Sequence, residues 1–418
     1  MEFARTENAI PELCRFVYRT MFDSKCYDDV FNCACVLLKN LIQKHWAEIS
    51  PNEPRKDDAR SLLLEILFKM PRKVPASLME CIRLVSESDY PKYWPSFLES
   101  LRASAESLDQ SYPKNVTVLF SILDHCFEYL RRSSKTDLVI MEVIDITKMF
   151  GPQIVSNLTE SKSFLNDDTS SDRLRMVIHT LSLYRSIISF DIPQYFVDHS
   201  SELFQYFHYA LCDLGTSQLL DEPRDSIINS IMEILTLYAN MFEDDIEILP
   251  TLAELSLSII VVQSGRSSKS LISTLRFISA IINKDSIRAS FENSLELIVD
   301  KIIVPNLRNN EDDLELLDES PIEFVRSMIN FSPEDNLKDA VMSLIHSLID
   351  VFPEKASVCM SNNVKSIINS RSEQKQLAQA IKLFTSSYVL DYKPEVSRFF
   401  NFRLVYVVQT HFTMEGRF

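Results

Sequence analysis

Apolar residues recur along most of this chain at the spacing of amphipathic α-helices. Residues three and four positions apart share one face of a helix, so a repeated three-and-four spacing marks a stripe that becomes buried on folding. The clearest stripes run over residues 30–45, 116–130, 177–188, 227–241 and 337–352. The pattern predicts helices over nearly the whole chain.

Several of these helices carry two apolar lines side by side. The first stripe has five members, Val30, Ala34, Leu37, Leu41 and His45. Leu38 and Ile42 form a second line beside it. A helix that is wet on one side needs a single stripe, whereas a wide stripe fits a helix that packs on its own partner and on a neighbouring pair.

Proline marks the beginning of several helices, at Pro75, Pro193 and Pro223, where its missing N–H costs nothing. Helices of roughly 15 to 20 residues, taken in pairs, give a period of about 40 residues, which is the spacing of HEAT repeats. We therefore predict an all-α fold, a HEAT-repeat right-handed superhelical solenoid of antiparallel helix pairs. The longer loops Glu48–Asp58 and Thr159–Ser171 do not resemble inter-domain linkers, so one continuous solenoid is expected.

The stretch Lys301–Arg326 interrupts the helical pattern. An apolar run ends at Pro305, a polar turn begins at Asn306, and an acidic insertion extends to about residue 323. Its carboxylates are Glu311, Asp312, Asp313, Glu315, Asp318, Glu319 and Glu323. Asn and Asp hydrogen-bond their own backbone in turns, which explains the interruption. The insertion is either a solvated acidic face or a place where the array bends or receives a basic partner.

Composition excludes several classes of protein. Only four of the 418 residues are glycine, and phosphate-binding loops and dinucleotide-binding turns need glycine. The net charge of −16 repels nucleic acid and attracts basic proteins. The eight cysteines lack disulfide-framework spacing, the N-terminus lacks a signal-peptide pattern, and no apolar run reaches membrane-spanning length. These features favour a soluble, intracellular protein without membrane insertion.

Candidate chemistry is sparse. Cys33 and Cys35 lie two positions apart, about 200° around a helix, so they cannot close on one metal ion and are better interpreted as buried thiols. An all-helical prenyl-diphosphate enzyme would hold Mg²⁺ with Asp-rich clusters. The candidates Asp244-Asp245-x-Glu247 and Asp312-Asp313-x-Glu315 do not complete a D-D-x-x-D motif. We therefore predict no catalytic residue, cofactor or metal.

Two segments near the N-terminus carry a resemblance to a known superfamily. Leu37–Trp46 (LLKNLIQKHW) is similar to the second helix of an N-terminal Ran-binding region, and Ser88–Pro95 (SDYPKYWP) is similar to the signature S-D-(F/Y)-P-x-x-W-P. The two patterns that these segments resemble are those of the importin-β, or karyopherin, superfamily.

Two later segments resemble one branch of that superfamily. Asp191–Asp198 (DIPQYFVD), followed by Phe207 and His208, is similar to D-(I/L)-P-E-(F/Y)-F-E-D…F-H, and Lys301–Arg326 is similar to the same branch's acidic insertion. This branch is the importin-α re-exporter family, also called cellular apoptosis susceptibility proteins or chromosome-segregation exportins.

The chain departs from the family pattern in places. Val197 stands where the family has an acid, Leu317 where it has Phe, and Leu337–Asp339 has one basic residue where the family has three. The resemblance covers about the N-terminal half of such an exportin, with the first helix of the first repeat missing.

The resemblance suggests a division of the chain into three parts. Residues 1–100 would form the Ran-binding repeats and residues 101–398 the HEAT solenoid with its acidic insertion. Residues 399–418, rich in aromatic and β-branched residues, form an atypical tail that is more typical of a strand. We expect the natural array either to continue beyond this tail or to end irregularly there.

The resemblance implies a non-enzymatic nuclear transport receptor that binds Ran·GTP and exports importin-α from the nucleus to the cytoplasm. It implies Ran·GTP, importin-α and nucleoporins as partners, no direct contact with nucleic acid, a monomeric state, and shuttling between nucleus and cytoplasm through the nuclear envelope. The alternative is a HEAT-repeat scaffold or adaptor without Ran dependence. Nucleotide-dependent binding of Ran separates the two.

The same resemblance suggests site residues. The Ran-binding candidates are expected to be exposed and are Lys39, Gln43, Lys44, Asp89, Lys92 and Tyr93. Their large neighbours are predicted to be core residues and are Trp46, Tyr90, Pro91 and Trp94. The acidic insertion becomes a hinge or a cargo-facing surface, and the sequence leaves both open.

Overall fold

The computed structural model of the chain is helical wherever it is described. It describes residues 2–22, 28–51, 53–70, 73–106, 112–165, 171–215, 221–241, 248–263, 268–307, 315, 319–320 and 337–369. Within these ranges there is no β-strand. The chain divides into two compact units, unit 1 (Met1–Leu237) and unit 2 (Tyr238–Phe418), and the division lies inside a helix.

The helices of unit 1 are α1 (Glu2–Thr20), α2 (Asp28–His45), α3 (Pro54–Lys69), α4 (Ala76–Asp89), α5 (Phe97–Glu106), α6 (Tyr112–Phe127), α7 (Asp137–Ser161), α8 (Ser171–Ile187), α9 (Gln194–Asp198) and α10 (Ser200–Gly215), with α11 (Glu222–Met241) containing the division. Short 3₁₀ turns follow α2 at Trp46–Glu48 and α6 at Glu128–Arg132.

Unit 1 consists of helix pairs stacked in two layers. The helix α1 packs on α2, α3 on α4, α5 on α6, and α7 on α8. The expectation that the helix before α2 is missing is therefore wrong, because α1 takes that place. In one layer α1, α3 and α5 contact each other in sequence, and in the other α2, α4, α6 and α8 do. Each helix therefore buries one side against its partner and another against the next pair, which is the arrangement of HEAT repeats and the reason for the wide apolar stripes.

The contact between α6 and α8 illustrates what stabilises the stack. Leu123 and Phe127 of α6 and Leu181 of α8 are at most 2% exposed. Burying one such side chain contributes about 1.5–3 kcal/mol. Arg131, just beyond α6, closes the pair, because its Nη2 donates to the carbonyl oxygen of Ser182 at 2.8 Å.

The helices of unit 2 are α12 (Leu249–Gln263), α13 (Lys269–Ile281), α14 (Asp285–Asn293), α15 (Leu295–Ile298), α16 (Val304–Asn306), α17 (Leu337–Val351) and α18 (Pro353–Asn369), with a π-helical turn, Val299–Ile303, between α15 and α16. The helix α12 packs on α13, α13 on α17, and α17 on α18. The same pairing therefore continues, and the predicted all-α helix-pair fold is confirmed.

The structure corrects the buried line predicted for α2. Val30 and Leu37 are 48% and 57% exposed, whereas Leu38 and Ile42 are buried. The neighbours α1 and α4 cover the second apolar line. Of the line that begins at Val30, Ala34 is buried, so the predicted stripe is wrong at Val30 and Leu37 only.

The predicted loop Glu48–Asp58 is wrong in its length, because Pro54 begins α3 and the charged residues after it form its first turns. Asn306, expected in a polar turn, is the last residue of α16, where it is buried and its Nδ2 donates to the carbonyl oxygen of Ile302 at 2.8 Å. The rest of the expected turn, Asn309 and Asn310, lies outside the described residues. Residues 399–418, expected to be strand-like, lie outside the described residues.

Candidate partner-binding surface of the N-terminal repeats

Asp89, the last residue of α4, is the centre of a buried hydrogen-bond network. Its carboxylate accepts from Trp46 Nε1 at 2.9 Å, from Lys56 Nζ at 3.3 Å and from Arg60 Nη2 at 2.6 Å. Asp89 is 1% exposed, Lys56 2% and Arg60 4%. One carboxylate therefore joins the segment after α2, the first turns of α3 and the end of α4.

The first turns of α3 explain how two cations reach this carboxylate. Lys56 and Arg60 lie four residues apart, so they project from the same face. The Lys56 ammonium lies 4.7 Å from the centroid of the Trp46 ring. Burial lowers the pKa of Lys56, and the neighbouring Asp89 carboxylate opposes this shift. The second buried cation, Arg60, also contacts the exposed carboxylate of Asp57 at 2.5 Å, so its positive charge has a second counter-charge.

The network fixes the turn that follows α4, residues 90–96. The N–H groups of Tyr93 and Trp94 both donate to the Asp89 carbonyl oxygen, at 2.6 and 2.8 Å. Trp94 is buried, with its ring centroid 4.7 Å from that of Phe97. Lys92 and Tyr93 remain exposed, with the Lys92 ammonium 4.9 Å from the Tyr93 ring centroid. The turn is thus held from inside and presents two side chains outside.

Tyr93 also lines a groove of about 730 Å³ between α3 and α5. Leu64 and Phe68 of α3 contribute apolar lining, and Ser100 of α5 contributes a hydroxyl. The groove has room for a side chain or a short peptide segment of a partner.

A second exposed area lies on α2 and is called the α2 surface here. Its members are Val30, Val36, Leu37, Asn40, Gln43 and Lys44, all of them exposed. Three are apolar and between 46% and 57% exposed: Val36 and Leu37 are neighbours in the chain, and Val30 lies two helical turns before Leu37. Grouped exposed apolar residues with polar neighbours are typical of protein contact surfaces.

The hydrogen bond from Trp46 to Asp89 relates the α2 surface to the turn at 90–96. Trp46 directly follows α2, so this bond brings the last turn of α2 to the end of α4 from which the turn starts. Gln43 and Lys44 lie in that last turn. The Gln43 and Lys44 end of the α2 surface therefore lies at the same end of the α2–α4 layer as the turn at 90–96, and the rest of the α2 surface extends from there along the helix to Val30.

Four of the six Ran-binding candidates are exposed as predicted: Gln43, Lys44, Lys92 and Tyr93. Lys39 is half-buried. The expected exposure of Asp89 is wrong, because its carboxylate is buried and accepts hydrogen bonds from Trp46, Lys56 and Arg60. Asp89 positions the turn and does not face a partner.

Only two carboxylates of the acidic insertion lie within the described residues. Glu315 and Glu319 are both exposed. The others, Glu311, Asp312, Asp313, Asp318 and Glu323, lie outside the described residues, and so does the cluster at 244–247.

The predicted core residues divide into two groups. Trp46 and Trp94 are buried as expected, at 2% and 7% exposure. Tyr90 and Pro91 are half-buried, and the Tyr90 ring packs edge-on against Phe127 at 5.9 Å. Tyr90 thereby fills the space between the turn and α6.

Cys35 is buried as predicted, but Cys33 is exposed, which corrects the interpretation of both as buried thiols. The two thiols point to different sides of α2, as their spacing requires.

The segment Asp191–Asp198 packs against the helices that precede it. Pro193 precedes α9 and its carbonyl oxygen accepts from the N–H of Phe196 at 2.8 Å. Phe196 is fully buried, with its ring centroid 4.7 Å from that of Tyr184. A Cβ on Gly151 of α7 would lie 3.0 Å from two ring carbons of Tyr195, so any larger residue there would have to displace this ring by a few tenths of an ångström. This matched segment is a structural joint between α7, α8 and α9.

Among the described helices, none is long and apolar enough to cross a bilayer.

Comparisons with known proteins agree with this architecture. The family model described as Cse1 matches residues 126–393. The chain is 24% identical over 394 residues to Exportin-2 of Oreochromis niloticus, covering 87% of this chain and 40% of that protein. It is 21% identical over 367 residues to the Importin-alpha re-exporter of Schizosaccharomyces pombe, covering 82% of this chain and 37% of that protein.

A solved structure shares the fold. The structure titled "The exportin Cse1 in its cargo-free, cytoplasmic state" matches with a TM-score of 0.74 at 18% identity, covering 90% of this chain and 43% of that chain. The chain thus spans about 40% of the length of the curated relatives that it matches.

Proposed function

Because this chain belongs to the Cse1 family, we propose that it serves as, or forms the N-terminal part of, a nuclear transport receptor that binds importin-α together with Ran·GTP and carries importin-α from the nucleus to the cytoplasm. The family match is the observation that carries the proposal. A relative named for importin-α re-export supports importin-α as the cargo. In this role the protein moves between nucleus and cytoplasm, contacts nucleoporins at the nuclear envelope, and acts by binding without catalysing a reaction.

Within this role, the α2 surface and the exposed turn at 90–96 form the Ran-binding surface. Leu37 supplies apolar area, and Gln43, Lys44, Lys92 and Tyr93 supply polar contacts beside it. Lys39 is half-buried and contributes less. The proposal is supported by the position of Gln43 and Lys44, which lie at the same end of the α2–α4 layer as the turn at 90–96.

The deciding experiment measures binding of the chain to Ran loaded with a non-hydrolysable GTP analogue or with GDP, by biolayer interferometry, with and without importin-α. We expect Ran in the GTP form to bind at least about tenfold more tightly, and importin-α to strengthen this binding, since coupled ligands raise each other's affinity. Equal binding of both nucleotide forms would favour the alternative, a HEAT-repeat scaffold without Ran dependence.

Two variants locate the surface. Leu37→Asp places a charge in the α2 surface and should weaken binding of Ran·GTP about tenfold or more, the effect of removing a central contact residue. Leu297→Asp is the matched control, because Leu297 is similarly exposed, at 53%, but lies on α15. Equal losses in both variants would contradict the location.

A further inference from the structure

The short segment between α6 and α7 combines basic side chains with serines. Its sequence is Arg131-Arg132-Ser133-Ser134-Lys135, with three basic residues and no acid. Arg131 and Arg132 are the only adjacent arginines in a chain whose net charge is −16. The segment belongs to neither part of the surface proposed for Ran, so its chemistry needs a separate explanation.

Hydrogen bonds hold this segment at both ends. Arg131 donates from Nη2 to the Ser182 carbonyl oxygen at 2.8 Å. At the other end, the Thr136 hydroxyl oxygen accepts from the N–H of Val139 at 3.4 Å and caps α7. The backbone is extended at Ser133, with ψ 148°, and at Thr136, with ψ 158°. The residues between the two ends are therefore held at the surface between two fixed points.

The three hydroxyl groups of this region differ in their availability. The Ser133 hydroxyl is half-buried and donates to the Tyr129 carbonyl oxygen at 2.9 Å. The Thr136 hydroxyl is occupied by its role as helix cap. Ser134 is exposed, and its hydroxyl has no hydrogen-bond partner among the described residues. Ser134 is thus the hydroxyl that an external reagent can reach without breaking a contact.

Exposed cations flank this free hydroxyl on both sides. Arg132, two residues before Ser134, is exposed. Lys135, directly after it, is 54% exposed, and its Nζ lies 3.3 Å from the Asp191 Oδ2. Guanidinium and ammonium groups bind carboxylates through charge-assisted hydrogen bonds. An enzyme with an acidic substrate cleft can therefore recognise the segment around Ser134.

We propose that Ser134 is a phosphorylation site for a protein kinase that recognises basic residues, with Mg²⁺-bound ATP as the phosphate donor. The Ser134 Oγ attacks the γ-phosphorus, the bond from that phosphorus to the bridging oxygen of ADP breaks, and the hydroxyl proton passes to a carboxylate of the kinase. The product carries a charge of about −1.5 to −2 beside Lys135 and competes with Asp191 for its ammonium group. This modification does not depend on Ran binding.

The test incubates the folded full chain with the catalytic subunit of cAMP-dependent protein kinase and Mg²⁺-bound ATP. Mass spectrometry of the digested product should place one phosphate on Ser134. Ser134→Ala should abolish phosphorylation of this segment. Arg132→Gln should lower the initial rate at least about tenfold, the effect of losing one charge-assisted hydrogen bond to the kinase.

Two variants are matched controls. Ser133→Ala keeps Ser134 and both flanking cations, so it should be phosphorylated like the unchanged chain. Arg102→Gln removes an arginine that is also exposed, at 56%, but lies on α5, and it should leave the rate unchanged. Circular dichroism should confirm that all four variants remain folded. A phosphate on Ser133 instead of Ser134, an unchanged rate in Arg132→Gln, or labelling of this segment only after heat unfolding would overturn the proposal.

Discussion

Replacing Asp89 by alanine tests whether one carboxylate holds the N-terminal repeats together. The substitution removes the acceptor for Trp46 Nε1, Lys56 Nζ and Arg60 Nη2 in one step. Lys56 and Arg60 then remain as buried cations, at 2% and 4% exposure. Arg60 keeps its contact with Asp57, but Lys56 loses its counter-charge.

The expected cost follows from this geometry. Breaking a buried ion pair by removing one partner costs about 3–5 kcal/mol, because an uncompensated charge stays buried. Unit 1 contains residues Met1–Leu237, and for a domain of this size 1 kcal/mol corresponds to about 2–4 °C in Tm. Asp89→Ala should therefore lower the free energy of unfolding by about 3–5 kcal/mol and the Tm by about 6–20 °C.

The pH dependence gives a second, independent signature. Burial lowers the pKa of Lys56 below its ordinary value of 10.5, so the folded state disfavours the charged form. The free-energy cost of burying the Lys56 charge is fully present at a pH where Lys56 is protonated in both the folded and the unfolded chain. This cost decreases as the pH rises towards 10.5, because the folded chain loses the proton first and the unfolded chain loses it near 10.5. Without Asp89 the pKa falls further, so the deficit of Asp89→Ala should be smaller at pH 10 than at pH 7.

Urea unfolding followed by tryptophan fluorescence at both pH values measures these effects, since Trp46 and Trp94 border the network. Asp57→Ala is the control, because it removes an exposed carboxylate from the same Arg60 and should cost at most about 1 kcal/mol. A deficit for Asp89→Ala no larger than that of Asp57→Ala, or a deficit that grows with pH, would refute the reasoning.

Three further variants test other parts of the molecule. Gly151→Ala should destabilise the fold by about 1–3 kcal/mol, because its Cβ would lie 3.0 Å from the Tyr195 ring, and a Tyr195→Ala background should reverse the sign in denaturant unfolding. Tyr129→Phe removes the hydroxyl that donates to the Glu142 carboxylate, whose pKa is raised by burial. Because this buried carboxylate then lacks its donor, the free energy of unfolding should fall by about 1–3 kcal/mol at pH 7. That loss should be smaller near pH 4, where Glu142 is protonated in both states, and a deficit independent of pH would contradict it. Glu315→Lys should weaken importin-α binding about two- to fivefold at low salt and less at high salt, and an unchanged affinity at low salt would exclude a partner-facing role for this residue.

The helix pairs could be predicted because their signals are local. Proline at the start of a helix acts within one turn, and Pro75 and Pro193 indeed stand immediately before α4 and α9. The apolar period is also read within one helix, so the paired architecture followed from the chain alone. The prolines and charges of 48–58 misled the prediction, because Pro54 begins α3 instead of interrupting it.

The role of Asp89 could not be predicted in the same way. Its partners Lys56 and Arg60 lie 33 and 29 residues earlier in the chain, beyond the reach of a local motif. A weaker signal was present, since Lys56 and Arg60 extend the spacing of the buried residues Leu63 and Leu67 on α3. Charged residues that continue an apolar stripe indicate a buried cation that needs a carboxylate. The sequence offers no way to tell that the carboxylate is Asp89.

The two apolar lines of α2 show why a binding surface cannot be predicted from the helical spacing of apolar residues. Leu37 and Leu38 have the same hydropathy and both continue a helical stripe, yet Leu37 is 57% exposed and Leu38 is fully buried. The choice is made by α1 and α4, which cover only the side of Leu38 and Ile42. An apolar side chain that binds a partner has the same helical spacing as one that packs in the core, because each becomes buried against another helix surface. Exposure in the folded chain is therefore the property that separates them, and it selects Leu37 and Val36 as the residues to test against Ran.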